Sequence, residues 1–310
     1  MNSLSEFKDE TEAWSRIRAL HPWDLLIYGG THDLEKEHRC RRVPDELGQV
    51  PSIRISRSHP GSPEYIAVDR DGAIQEIHFG ELHKALEGIL TPQCRYLSLD
   101  ITSLEVDVLL LLMPLLARSR MRNLTALFLS PTSYGEAGPR LSEWSTPRQP
   151  LGYVTLQPIV ATEPSTEHWV LLGFDEGRVN RIIDAYDWEA SRIHALLSDP
   201  PYFPDGDNRA YRANQDWIED NPCPHLHRVA AADTFKVRDL LVERFQSADL
   251  LDILPFGPKP MILGALLFYF SLPEEERERV RFLYDYPEYQ PGHTTGVGRC
   301  FCYDLTGFAS

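Results

Sequence analysis

The sequence has fewer basic residues than acidic ones. Lys and Arg total 31 and Asp and Glu total 46, so the 310-residue chain carries a formal charge of −15. A surface with that charge repels the phosphate backbone of nucleic acids. General binding to DNA or RNA is therefore not expected.

Long hydrophobic runs are also missing. The most apolar segments, Val108–Ala117 and Met261–Phe270, are shorter than the ~18–20 residues that a membrane-spanning helix needs. Residues Met1–Glu10 do not have the basic and then apolar pattern of a signal peptide. The five cysteines are scattered, which is typical of a reducing compartment. We expect a cytoplasmic protein with no membrane partner.

Common catalytic and metal-binding signatures are absent. The sequence contains no G-x-S-x-G, H-E-x-x-H or P-loop pattern. The segments Cys223–His227 and Cys300–Cys302 place Cys and His at alternate positions, and alternate residues share one face of a strand. Zinc binding is one interpretation of this spacing, but buried cysteines in ordinary strands explain it as well. We therefore expect no metal and no cofactor.

What the sequence does contain is an alternation of strand and helix patterns. One example is Tyr96–Ile101 (strand), Leu104–Ala117 (helix) and Leu124–Leu129 (strand). The alternation predicts an α/β fold with two Rossmann-like lobes, whose mostly parallel sheets are covered by helices. Asp71-Gly72 predicts a hairpin turn. The segment Ser130–Gly152 is rich in Pro, Gly, Ser and Thr and predicts a linker. We therefore expect an N-terminal α/β domain with its linker over 1–150 and a Rossmann-like domain over 151–310.

The segment Leu254–Met261 indicates a ligand site most strongly. A strand ends there, Gly257 permits close approach of the backbone, and Pro260 suits the first turn of a helix. The positive end of that helix and the charge of Lys259 favour an anion. The pattern predicts a phosphorylated or nucleotide-like ligand at Gly257 and Lys259. The alternative is a structural turn before a buried helix.

The order strand, glycine, lysine and small-residue helix over Asp252–Ala265 resembles the CRISPR-associated Rossmann-fold (CARF) sensor domains and related prokaryotic defence proteins. The resemblance implies that Gly257 and Lys259 line a pocket for an oligonucleotide signal. Where that family has Thr-Gly-Gly-Thr-Lys, this chain has Pro-Phe-Gly-Pro-Lys over Pro255–Lys259. The resemblance covers roughly the last 140 residues, and the chain has no recognisable nuclease domain.

Two further glycine turns follow predicted strands. Gly29, Gly30, Thr31 and His32 form the first, where glycine allows close approach to a ligand and His32 is a candidate base. A plain turn explains the same residues.

The second turn begins at Gly173 and carries Asp175 and Glu176. Acidic residues at this position hold ribose hydroxyls in some nucleotide sites, although Asp175 as a helix N-cap is an equally simple interpretation. Tyr286, in a C-terminal loop, is a candidate for packing against a base.

Together these features predict a sensor or interaction protein that binds a nucleotide-like or phosphorylated small ligand, in prokaryotic anti-phage defence. One alternative is an enzyme that cleaves a glycosidic or phosphodiester bond of a nucleotide with His32, Asp175 or Glu176. Another is a structural subunit of a complex. An apolar helix predicts contact with other subunits or a homodimer, through Val108, Leu109, Leu112, Leu115 and Leu116.

Overall fold

The computed structural model describes most of the chain as two compact units. The residues described are 3–20, 22–30, 34–58, 65–90, 94–118, 123–134, 166–220, 225–246, 248–284 and 294–308. One unit comprises 1–136 with 290–310, and the other comprises 137–289. In the described ranges, no helix has both the length and the apolar character needed to cross a membrane.

The first unit contains all the elements from β1 to β8. In chain order these are β1 (Ser3–Phe7), α1 (Glu10–Leu20), β2 (Leu25–Gly29), α2 (Leu34–Glu46), β3 (Ser52–Arg57), β4 (Tyr65–Arg70), β5 (Ala73–His78), α3 (Leu82–Glu87), β6 (Tyr96–Asp100), α4 (Val106–Arg118), β7 (Asn123–Leu129) and β8 (Ser133–Tyr134). A one-turn 3-10 helix at Phe79–Glu81 precedes α3.

The second unit alternates strands and helices. Its elements are β9 (Thr166–Leu171), α5 (Arg178–Tyr186), β10 (Ile193–Ser198), α6 (Gly206–Ala213), α7 (Gln215–Asp220), β11 (His225–Val229), α8 (Thr234–Phe245), β12 (Leu250–Pro255), α9 (Lys259–Ser271), α10 (Glu274–Arg277) and β13 (Val280–Phe282). The chain then continues in the first unit with β14 (Thr294–Thr295) and β15 (Cys300–Asp304).

The eight-stranded sheet of the first unit is mixed. Its order is β1-β15-β7-β6-β2-β3-β4-β5. Only the three pairings among β7, β6, β2 and β3 are parallel, and the other four are antiparallel. The expectation of a mostly parallel sheet is therefore wrong here. One antiparallel pair, β4 and β5, is the hairpin at Asp71 and Gly72, which both have positive φ. A second is β3 with β4, and the other two involve the returning strand β15.

The return of β15 also changes the domain boundary. β15 pairs with β1 on one side and with β7 on the other, so the last residues of the chain complete the first sheet. They were expected in the domain over 151–310. In the structure, residues 290–310 belong to the first unit.

The sheet of the second unit is fully parallel, as predicted for it. Its order is β11-β10-β9-β12-β13, and helices flank it. The first strand of this sheet, β9, lies in its centre; β10 and β11 extend the sheet on one side and β12 and β13 on the other. The direction of winding reverses between β9 and β12, which makes this the topological switch point.

Helix α9 begins beside that switch point and is buried on all sides. Every residue from Pro260 to Phe270 is buried. A Cβ at Gly264 would overlap the Thr234 carbonyl oxygen, so the glycine lets α8 pack closely against α9. The Thr234 hydroxyl also donates to the Pro260 carbonyl at 2.8 Å. These contacts fix the position of the first turn of α9.

Helix α4 is covered within the chain. Val108, Leu109, Leu112 and Leu116 are each at most 1% exposed, and Leu115 is half-buried. The reason for expecting a partner here was an uncovered apolar face. The structure has no such face along these five residues.

Candidate functional site

The loops that follow β9 and β12 touch at the switch point through two glycines. A Cβ at Gly173 would overlap the Phe256 carbonyl oxygen, and a Cβ at Gly257 would lie 3.2 Å from the Leu172 carbonyl oxygen. Any larger side chain at Gly173 would push the loops apart. The close packing of one loop on the other therefore requires glycine at 173, whereas at Gly257 a Cβ would make a tight contact.

A buried arginine joins the ends of three strands at this point. Arg178 begins α5 and is 2% exposed, and its Nη1 donates to Asp175 Oδ2 at 2.7 Å. Its guanidinium carbon lies 3.7 Å from the Phe256 ring centre and 5.5 Å from that of Tyr284. Phe256 follows β12 and Tyr284 follows β13, so Arg178 links their loops to the loop after β9.

The acidic candidates in that loop differ from one another. Asp175 is buried against Arg178, whereas Glu176 is exposed. The N-cap of α5 is Gly177, at φ 70°, with no side-chain cap bond. The interpretation of Asp175 as the helix cap is therefore wrong, because its carboxylate is turned to the Arg178 guanidinium.

Lys259 is the first residue of α9 and is half-buried. No side chain caps this helix; instead the Pro258 carbonyl accepts from the N–H groups of Met261 and Ile262 at 2.9 and 3.2 Å. Pro260 has no N–H. An anion here would thus be attracted mainly by the Lys259 charge and the helix dipole.

The first unit has its own glycine turn, and it is closely packed. The Gly29 N–H donates to Ser103 Oγ at 2.7 Å, and Ser103 Oγ donates to Asp100 Oδ2 at 2.7 Å. A Cβ at Gly29 would overlap the Ser103 backbone, and one at Gly30 would overlap the Arg54 side chain. Packing against the backbone accounts for Gly29, whereas at Gly30 the neighbour is the flexible end of the Arg54 side chain. Thr31 and His32 lie outside the described residues.

Three histidines lie on β10 and β11, at one edge of the second sheet. Two of them, His225 and His227, belong to the segment Cys223–His227 that the zinc interpretation used. The rings of His194 and His225 stack with centres 4.5 Å apart, and His194 Nδ1 lies 3.2 Å from His227 Nε2. Burial and these two imidazoles lower the pKa of His194 to about 3. Within the described ranges no group of three or more His, Cys, Asp or Glu side chains is arranged to hold a metal ion.

Two other residues of that interpretation belong to the first unit. Cys300 and Cys302 are buried in β15, and burial raises the pKa of Cys302 to about 12. Cys223 lies outside the described residues, as does Tyr286.

Sequence reasoning missed a buried charged row that crosses the second sheet. His168, Asp252 and Arg281 are register partners on β9, β12 and β13. Arg281 donates to both Asp252 oxygens at 2.6 and 2.9 Å, and His168 Nδ1 lies 3.1 Å from Asp252 Oδ2. Trp188 stacks on the His168 ring at 3.7 Å. His168 and Asp252 are fully buried and Arg281 is partly buried, and their contacts link β9, β12 and β13.

The sequence matches no protein-family model, and no curated protein sequence matches it significantly.

Proposed function

We propose that the second unit binds a phosphorylated small molecule at its switch point and serves as a sensor or interaction module. The observation that carries the proposal is the juxtaposition of Gly173 and Gly257 beside the Lys259 end of α9. The strand order, numbered within the unit, is 3-2-1-4-5. That order is typical of Rossmann-like sheets, which bind ligands outside the carboxyl ends of the strands at the switch point.

The charge at this edge favours an anion. Lys259 contributes a cation at the positive end of a buried helix of 13 residues. Arg178, which is paired with Asp175, shapes the loops, and Lys259 adds a positive charge at the same edge. A lysine is well suited to a phosphate group as a compact point charge.

Binding without catalysis suits the residues better than the enzymatic alternative. A general base must lie within hydrogen-bond reach of the proton that it removes. Asp175 is held by a buried arginine, and Glu176 points to solvent. A sensor role is also what the resemblance to CARF domains implies, and the link to prokaryotic defence rests on that resemblance.

Calorimetric titration with inorganic pyrophosphate tests the site. The Lys259→Ala variant should bind about 10- to 150-fold more weakly than wild type, since a hydrogen bond to a charged group contributes about 1.5–3 kcal/mol. Lys236→Ala is the matched control, because Lys236 is exposed on α8 of the same unit. Equal affinity of the two variants, or no binding by the wild type, would contradict the proposal.

A further inference from the structure

Two half-exposed aromatic rings lie next to the switch point. Phe174 directly follows Gly173, and Phe203 lies between β10 and α6; both are half-buried. Their ring centres are 5.8 Å apart with an interplanar angle of 72°. Partly exposed phenylalanines at the ligand-binding edge of a parallel sheet provide apolar, planar surface beside the anion site.

These rings are held by buried contacts of the backbone around them. Asn214 is 4% exposed, and its side-chain amide donates to the carbonyls of Gly173 and Ala210 at 3.1 and 2.8 Å. Trp217 Nε1 donates to the Asn214 side-chain oxygen at 3.3 Å. The loop that carries Phe174 is therefore anchored to the end of α6 before any ligand arrives.

Phe203 is fixed in a similar way. A Cβ at Gly206 would lie 3.0 Å from two atoms of the Phe203 ring, so the first turn of α6 packs directly on that ring. The hydroxyl of the preceding Tyr202 donates to the Ala231 carbonyl at 2.6 Å. A rigid aromatic surface loses little conformational freedom when a ring stacks on it.

A cation completes this surface. The Arg209 guanidinium carbon lies 5.0 Å from the Phe174 ring centre, within the range of a cation–π contact. Arginine and aromatic rings together are the side chains on which nucleobases stack in many nucleic-acid-binding proteins. The chemistry of Phe174, Phe203 and Arg209 thus suits a base, and the charge of Lys259 suits a phosphate.

We propose that the ligand is a nucleotide whose base stacks on the aromatic surface formed by Phe174, Phe203 and Arg209. This inference rests on the proposed function, in which Lys259 attracts the phosphates. It adds that the base contributes to affinity, so a nucleoside diphosphate binds more tightly than pyrophosphate. Stacking of one base on an aromatic side chain corresponds to about a 5- to 150-fold gain in affinity.

The test compares pyrophosphate with ADP and UDP by calorimetry. Wild type should bind ADP about 5- to 150-fold more tightly than pyrophosphate, with a smaller gain for UDP because its ring is smaller. Phe203→Leu and Phe174→Leu should each reduce that gain and leave the affinity for pyrophosphate unchanged. Because these variants leave the contacts available to the ribose in place, the loss reports on the ring.

Phe235→Leu is the matched control. Phe235 is half-buried on α8. Like Phe174, it lies next to an arginine, and the guanidinium carbon of Arg238 is 5.4 Å from its ring centre. This variant should keep the full gain. Thermal unfolding of each variant shows whether it is folded, and Phe203→Leu provides the test if Phe174→Leu unfolds.

The outcomes separate this inference from the proposed function. If wild type binds pyrophosphate and both diphosphates equally, the base contributes nothing and only this inference is overturned. The same holds if both aromatic variants keep the gain. If wild type binds none of the three probes, the proposed function is overturned together with the inference.

Discussion

The guanidinium of Arg178 lies over the ring of Phe256, with its central carbon 3.7 Å from the ring centre. The same guanidinium donates to Asp175 at 2.7 Å. One side chain thus joins the loop after β9 to the loop after β12, on either side of the point where Gly173 and Gly257 approach. The shape of the candidate site depends on this contact.

The first prediction concerns that arginine. Arg178→Ala leaves the buried carboxylate of Asp175 without its cation, so the free energy of unfolding should fall by about 3–5 kcal/mol. Urea unfolding followed by circular dichroism measures the change. Arg181→Ala, on the exposed side of the same helix, should change the stability by no more than about 0.5 kcal/mol. A loss in Arg178→Ala as small as the one expected for Arg181→Ala would show that the Arg178 contacts contribute little.

A second prediction concerns the contact between the two loops. Gly173→Ala forces a methyl group onto the Phe256 carbonyl oxygen, and overpacking of this kind costs about 1–3 kcal/mol. It should also weaken binding of pyrophosphate, because the loops separate. Gly88→Ala is the control, since nothing lies within 4 Å of a Cβ there and its φ is −75°. A Gly173→Ala protein as stable as wild type would argue against the close approach.

A third prediction is a loss of stability in acid that depends on His194. Its pKa is lowered to about 3, first by burial and then by His225 and His227, whereas in the unfolded chain the value is near 6.5. Between these values the unfolded state binds the additional proton. Stability should therefore fall as the pH is lowered from about 6.5 towards 3, by at most about 1.4 kcal/mol per pH unit for this one group.

Urea midpoints at pH 7.5, 6, 5 and 4 test this dependence. His194→Gln removes the titrating group, so its midpoint should change less over this range than that of wild type. The carboxylates titrate in both proteins, and the difference between the two curves isolates the imidazole. Parallel curves would show that His194 does not contribute to the acid dependence.

Local sequence signals predicted those parts of the fold that depend on neighbouring residues. The hairpin at Asp71-Gly72 and the beginning of a helix at Lys259-Pro260 follow from the backbone preferences of glycine and proline, and both are present. The parallel order of the second sheet follows from the regular alternation of strands and helices.

Long-range pairing was not predictable in the same way. β15 joins the first sheet between β1 and β7, which are far from it in sequence, and nothing in its residues specifies these partners. Arg178 was missed for a similar reason. Its role depends on bringing Asp175, Phe256 and Tyr284 together from three strand ends, and a single buried arginine has no local pattern in the sequence.

The central claim is that an anionic ligand binds at the switch point of the second unit. Hydrogen–deuterium exchange of the wild-type protein, with and without saturating pyrophosphate, measures this directly. Peptides that cover residues 172–178 and 256–262 should exchange more slowly with pyrophosphate. At a pyrophosphate concentration near the wild-type Kd, the same peptides should slow much less in Lys259→Ala than in wild type. Slower exchange confined to the glycine turn of the first unit near Gly29, or no change anywhere in the chain, would contradict the account.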